Sequence, residues 1–367
     1  MLFLLFLCTL GTFLATALVV RYGRAHTHRY GSSVPQRFHA GHVPRLGGIA
    51  MLAGCTIGWA WAVASQHWSL PNQIRVAPPM TLSLWLVACL TVGAGVMEDL
   101  TQRLTARYRL LVTVGASLLA VWLLQLSVPR LDLVGLDRLW TAGPWMGIAL
   151  AVVAVSGLPH AFNLIDGYNG LAGTVALVCC FALAYVALQV GDRELAALVL
   201  VLAGSTAGFL VWNYPRGLIF AGDGGAYLWG VVIAVVSVML VMRHEQVSPW
   251  FPMLLLSYPV WETMFSIYRK AARGQSPGVA DALHFHQLIY RRIVREVFDD
   301  DEARRMLMRN NRTSPYLWGF ALLTVTPAVM FWNRTGILVV FTLIFIVTYV
   351  WAYTAIVRFK VPAWLRR

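Results

Sequence analysis

Residues 221–242 read AGDGGAYLWGVVIAVVSVMLVM, and from Gly225 onward eighteen consecutive residues carry no charge. A membrane-spanning α-helix needs about 17 to 25 mostly apolar residues, so this run is long enough to cross a bilayer. Its one carboxylate, Asp223, stands at the mouth of the run among glycines. A carboxylate at the bilayer centre costs about 2.5–3.5 kcal/mol on insertion scales, whereas at a span end it faces water or a polar cleft. The stretch therefore predicts a membrane helix with a chemically active group at one end.

The same pattern recurs along the chain. Apolar runs of spanning length lie near 2–20, 46–65, 79–97, 108–128, 144–161, 170–190, 195–212, 225–242, 249–267, 315–332 and 335–356. With 59% hydrophobic and only 12% charged residues and a mean hydropathy of +0.66, a soluble domain would have no polar shell for its core. The expected fold is an all-α polytopic integral membrane protein with about eleven transmembrane helices. Residues 1–20 have no basic start and no small-residue cleavage site before Arg21, so they read as the first span and not as a cleaved signal. Without internal repeats or linkers, residues 1–367 read as a single integral-membrane domain, with 268–314 as its one large polar loop.

Basic residues set the expected orientation. When loops are assigned to alternate sides, the 29 Lys and Arg divide so that only Arg75, Arg130, Arg138, Arg193, Arg243 and Arg334 fall on one side. The positive-inside rule makes the richer side cytoplasmic, with the N-terminus outside and the C-terminus cytoplasmic. The net charge of +13 is mostly this asymmetry; it suits membrane lipids with anionic headgroups and leaves an anionic substrate open. No nucleic acid partner is expected. The five cysteines all lie in apolar runs without paired spacing, which argues against both a disulfide framework and a metal cluster.

Five polar motifs fall on the basic side: Pro44-Arg45-Leu-Gly-Gly48, Glu98-Asp99, Asn163-Leu-Ile-Asp166-Gly-Tyr-Asn169-Gly170, Gly222-Asp223-Gly-Gly225 and His284-Phe-His286. Adjacent charges at Glu98 and Asp99 repel, which raises one proton affinity and suits a base; the alternative is a helix-end pair neutralised by Arg103 and Arg107. Asn163, Asp166 and Asn169 recur every three residues, so one helical face would carry all three. Amides and a carboxylate there suit a nucleobase or a hard metal, and a loop packed by turn residues is the plainer alternative. The glycines around Asp223 can present N–H groups to phosphate while the acid holds Mg²⁺. His284 and His286 lack a third ligand cluster for zinc; beside Arg291 and Arg292 they suit anion binding or proton donation. The loop 35–48, with His39, His42 and Arg45, reads as a basic cover for an anion. After the histidines, residues 288–298 show helical spacing, and the run Asp299–Glu302 can cap a second short helix.

Together these segments resemble the polyprenyl-phosphate N-acetylhexosamine-1-phosphate transferases, the MraY/WecA type of glycosyltransferase family 4, over roughly residues 35–360. The family's acidic pair is usually Asp-Asp and is Glu98-Asp99 here. Its Asn-Ala-x-Asn-x-x-Asp-Gly-x-Asp-Gly-Leu-Ala stretch resembles residues 160–172, with His160 for the first amide and Asn169 for the last acid. Its Gly-Asp-x-Gly loop matches Asp223, and its histidine motif matches His284 and His286, followed by Gln287. The resemblance implies transfer of a sugar-1-phosphate from a UDP-sugar to undecaprenyl or another polyprenyl phosphate, with release of UMP. It implies Mg²⁺, or Mn²⁺ in its place, on Asp223 and Asn163; Asp99, with Glu98, at the lipid phosphate; Asp166 and Asn169 at the uridine or metal shell; and Arg45, His284, His286 and Arg291 on the anionic substrate. It also implies a bacterial inner membrane, a cytoplasmic active site, and a wording closer to enzymes initiating O-antigen or other surface polysaccharides than to the peptidoglycan enzyme. The sugar and the oligomeric state, a homodimer included, stay open. The rival reading is a transporter or flippase of an anionic polyprenyl lipid, which would place its ionisable groups at mid-membrane between repeats.

Overall fold

The computed structural model describes residues 1–23, 43–67, 75–275, 283–294 and 301–358, and every regular element among them is helical. Thirteen α-helices follow in order: α1 Leu2–Gly23, α2 Gly47–Ala64, α3 Pro78–Thr101, α4 Ala106–Leu124, α5 Trp145–Ile165, α6 Leu171–Gln189, α7 Arg193–Asn213, α8 Gly222–Arg243, α9 Trp250–Leu255, α10 Ser257–Ala271, α11 Phe285–Arg292, α12 Glu302–Met330 and α13 Thr335–Val357. Among the described residues nine helices, α1 to α8 and α13, are long and apolar enough to cross a membrane. Helices satisfy their backbone groups internally, which is the condition for crossing a lipid core. The chain is a multi-pass membrane protein.

Two of the eleven expected runs take other forms. Residues 249–267 break at Leu256 into α9 and α10. Pro259 lacks an N–H, and its ring crowds the carbonyl of Leu255, four residues back, which weakens the helix where the break falls. The run 315–332 is the second half of α12, whose first half carries Arg304, Arg305, Arg309 and Arg312. The expected short helix after the acidic run is therefore the start of a helix that continues into the apolar segment. Asp301 caps it, accepting from the N–H groups of Ala303 at 2.9 Å and Arg304 at 3.4 Å. Of the predicted helix 288–298, α11 covers the first part, and 295–298 lie outside the described residues.

Helix α8 is the axis of the molecule. Every residue from Gly222 to Val241 is buried, and α2, α3 and α5 pack around it. This explains why its sequence is apolar on all sides. Gly95 on α3 permits a close approach, since a Cβ there would collide with the backbone of Asp223 and Gly224. Peripheral helices bury one stripe only: α1 buries Leu4, Cys8, Thr12, Thr16 and Val20, four residues apart, and exposes Phe3, Phe6, Leu10, Leu14 and Leu18. That spacing is one helical face inward and one face for lipid.

Polar contacts gather at the two ends of the helices. At one end Arg130 donates to the carbonyls of Val241, Glu245 and Val247, Thr335 donates to Asp132 at 3.0 Å, and Arg243 and His244 meet Asp192. The opposite end holds the C-termini of α3 and α5 and the N-termini of α2 and α8.

Candidate active site

An α-helix begins with N–H groups that have no intrahelical partner. In α8 the N-cap position is Ala221, which has no side-chain acceptor. Asp99, at the end of α3, supplies the cap from outside: Oδ1 accepts the Asp223 N–H and Oδ2 the Gly224 N–H, each at 3.0 Å. Gly222 adopts φ +70°, and any Cβ there would strike the Asp99 carboxylate and the Arg45 carbonyl. Only glycine allows that contact. The cap also removes one expectation, because the glycine-rich turn does not hold its N–H groups out to a phosphate: two serve Asp99, and the Gly225 N–H returns to the Ala221 carbonyl at 3.2 Å.

The Asp223 side chain, 5% exposed, points the other way. Its Oδ1 accepts from Asn163 Nδ2 at 2.7 Å, and its Oδ2 pairs with the Arg109 guanidinium at 2.8 Å, with the Tyr227 hydroxyl at 3.4 Å. Helices α3, α4, α5 and α8 thus meet at two adjacent aspartates. His160, where the family pattern has an amide, shares a 2.9 Å hydrogen bond with Thr113 and stands edge-on to Tyr227.

Asp166 follows the last turn of α5. Burial pushes its carboxyl up to about 7, against the pull of the Arg45 guanidinium and with the charge of Asp223 adding to the rise. Arg45 itself is exposed. The segment carrying it, Pro44–Gly48, is docked by backbone bonds: Gly47 and Gly48 donate to the Phe220 and Ala221 carbonyls and Phe220 donates to Pro44, at 2.9–3.0 Å. The rest of the expected basic cover, with His39 and His42, lies outside the described residues.

The predicted shared face of Asn163, Asp166 and Asn169 is not formed. Helix α5 ends at Ile165, and Gly170, at φ +71°, closes a turn that sends Asn169 elsewhere. The Asn169 N–H donates to Asn310 at 2.8 Å, its amide to Asn311 at 3.0 Å, and its carbonyl accepts from Ser314 at 2.6 Å. Asn169 thereby ties the turn to α12. Glu98 also turns from its neighbour, accepting the Leu104 N–H at 2.7 Å, because consecutive residues on a helix point about 100° apart.

The histidines reach the site from the far side of that turn. A Cβ on Gly167 would sit 3.1 Å from His286 Nε2, and the His284 and His286 rings stack with centroids 5.4 Å apart. Burial pushes His286 down to about 3, outweighing the opposing pull of Glu262, so it stands neutral here and not as a fixed cation. Tyr168 stacks on Tyr290 at 5.4 Å, and the Arg309 guanidinium lies 4.4 Å over the Tyr290 ring. Arg291 lies on the exposed side of α11.

Asp99, Asp166 and Asp223 are three carboxylates facing Arg45 and Arg109. Among the described residues no three of His, Cys, Asp and Glu converge into a complete protein-only metal cage. Mg²⁺ needs none, since it usually binds through one or two carboxylates and completes its shell with waters and phosphate oxygens. The all-oxygen carboxylate set fits such a hard ion. Arg109 already holds positive charge against Asp223.

Comparison with known proteins agrees with this class of site. The sequence model of the family described as Glycosyl transferase family 4 matches residues 81–241, which contain Asp99, Arg109, Asn163, Asp166 and Asp223. A probable undecaprenyl-phosphate N-acetylglucosaminyl 1-phosphate transferase of Bacillus subtilis is 28% identical over 252 residues, covering 68% of this chain and 66% of the relative. The phospho-N-acetylmuramoyl-pentapeptide-transferase of Moorella thermoacetica is 30% identical over 220 residues, covering 56% and 63%. A decaprenyl-phosphate N-acetylglucosaminephosphotransferase of Mycobacterium leprae is 29% identical over 278 residues, covering 68% and 66%. The chain thus spans just under two thirds of the length of these relatives. Over residues 81–241 it is similar to glycosyl transferase family 4.

Four residues of the site escaped the sequence reading. Arg109 was one arginine among many in a basic loop, and Tyr227 and Arg309 carry no motif. Glu262 did leave a signal: it is a carboxylate inside the apolar run 249–267, and an ionisable residue within a span is a functional candidate by default.

Proposed function

We propose that the chain transfers a sugar-1-phosphate, most simply that of an N-acetylated hexosamine, from a UDP-sugar to undecaprenyl or another polyprenyl phosphate, releasing UMP. The observation that carries this reading is the pair of aspartates at the head of α8, Asp99 holding the backbone and Asp223 facing Arg109 and Asn163. In the reaction an oxygen of the lipid phosphate bonds to the β-phosphorus of the UDP-sugar, and the bond from that phosphorus to the bridging oxygen breaks, so UMP departs. Mg²⁺ or Mn²⁺, held by Asp223 with Asn163 or Asp166, supplies positive charge to the phosphate oxygens when bound.

The chain's own residues do the rest. Arg109, freed from Asp223, pairs with a phosphate oxygen; Arg45 and Arg291 attract the anionic substrates; Asp99 orients the lipid phosphate while fixing α8; and His284 and His286 donate hydrogen bonds. These groups gather at one end of the helices, which suits a reaction at a membrane surface better than a transport path through mid-membrane. The positive-inside count makes that end cytoplasmic in a bacterial inner membrane, with the N-terminus outside. On this reading α9–α10 and the second half of α12 complete eleven crossings. The product would initiate a lipid-linked envelope glycan such as an O-antigen.

The test is incubation of purified protein with polyprenyl phosphate, Mg²⁺ and a panel of UDP-sugars. UMP should form only when both substrates are present. Formation of no UMP with any of them would refute the proposal.

A further inference from the structure

Among the described residues the least exposed acid is Glu262, 1% exposed on α10. A buried carboxylate is retained only when its oxygens are satisfied, and the partners here come from two other helices. Oε1 accepts the Phe285 N–H at 2.8 Å, and Oε2 accepts the Tyr349 hydroxyl at 2.8 Å; His284 Nδ1 lies 3.7 Å from Oε1. One side chain thereby joins α10, the first turn of α11 and α13. Phe285 is the residue between the two histidines, so the bond to its N–H fixes the backbone from which both imidazoles project. Around that bond Phe285 packs on Phe320 and Tyr349, with ring centroids 5.1 Å apart in each pair.

We propose that Glu262 is a positioning residue for the histidine pair, holding the stacked rings of His284 and His286 against Gly167 and Tyr168, on the nucleotide-sugar side of the site. The inference rests on the transferase reading for the role of the histidines, while the geometry of the clamp does not. It assigns Glu262 an effect on one substrate only. Asp99, assigned to the lipid phosphate, stands on α3, which is not one of the helices the clamp joins.

The experiment compares wild type with Glu262→Gln and Tyr349→Phe. Gln keeps the side chain's shape but removes its charge and one acceptor, and Phe removes one donor without touching α11. Steady-state UMP release is measured while each substrate is varied, and calorimetry with UDP-N-acetylglucosamine measures binding alone. Loss of a group that orients a ligand-contacting histidine typically costs roughly 10- to 100-fold. The expected result for Glu262→Gln is a rise of that order in KM and Kd for the UDP-sugar, an unchanged KM for polyprenyl phosphate, and a thermal midpoint showing that the protein is folded. Tyr349→Phe should move the same constants in the same direction by less. Simple destabilisation would lower Vmax and leave both KM values alone, and that result, or wild-type constants in Glu262→Gln, overturns the inference. Wild-type protein that binds the UDP-sugar but releases no UMP refutes the transferase reading while the Kd series still decides the role of Glu262. Wild type that neither binds nor turns over overturns both.

Discussion

Asp99 holds the Asp223 backbone N–H at 3.0 Å and caps the helix on which Asp223 rides. The two acids are therefore coupled through the backbone as well as through charge. Whatever moves the Asp99 carboxylate also moves the first turn of α8.

This coupling separates the acidic pair. Asp99→Asn presents an amide N–H to one of the two backbone donors, so it should lose about 10²-fold or more in kcat and also lower the thermal midpoint, since a cap is worth about 1 kcal/mol. Glu98→Gln keeps an acceptor for the Leu104 N–H and should retain activity within a few-fold. Kinetics and thermal unfolding of both variants in the same detergent check this. A dead Glu98→Gln beside an active Asp99→Asn would reverse the roles.

The Asp223 side chain takes no part in that cap, so Asp223→Asn should fold. Turnover should nearly vanish and its Mg²⁺ dependence with it. Arg109, which is half-buried, would lose its ionic partner, so a slightly lower melting point is expected as well. The check is a Mg²⁺ titration of UMP release together with a melt.

How much of this was legible beforehand follows from what each residue does. Asp223 and Asn163 stand out in the sequence because apolar runs expose a polar residue at their mouths as an anomaly, and the two side chains meet at 2.7 Å. Asn169 was misplaced because a three-residue spacing was read as helix through Gly167 and Gly170, where the backbone turns instead. Hydropathy sees the apolar run of 249–267 but not the break at Leu256, so this expected span takes the form of two shorter helices. Arg109 was invisible because an ion pair between residues 109 and 223 leaves no local pattern.

At the other end of the helices, pH should govern stability through Asp192. Burial alone would raise its carboxyl, but the Leu195 N–H, His244 and Arg243 outweigh burial and hold it below its ordinary value. A folded-state value below the unfolded one gives stability that is present above the unfolded value of about 4 and is lost as pH falls through the folded value. The contribution of Asp192, read as the difference in thermal midpoint between wild type and Asp192→Asn, should hold from pH 7 to about pH 4 and be lost below. Asp192→Asn should start lower and respond less to acid. Parallel pH curves for the two proteins would remove Asp192 from the account.

Orientation has its own check. Single cysteines placed at Arg273 and Leu136 in a background lacking the native five should label from opposite sides, residue 273 from the cytoplasm and residue 136 from outside. The reverse pattern would put the site out of reach of a cytoplasmic nucleotide sugar.

The central claim is that phosphorus travels with the sugar. Purified protein given polyprenyl phosphate, Mg²⁺ and a UDP-sugar labelled with ³²P at the β-phosphate should move the label into the butanol-extractable lipid, with UMP left unlabelled in water. Label that stays in the aqueous phase as UDP while sugar enters the lipid would show transfer of the sugar alone and contradict the account.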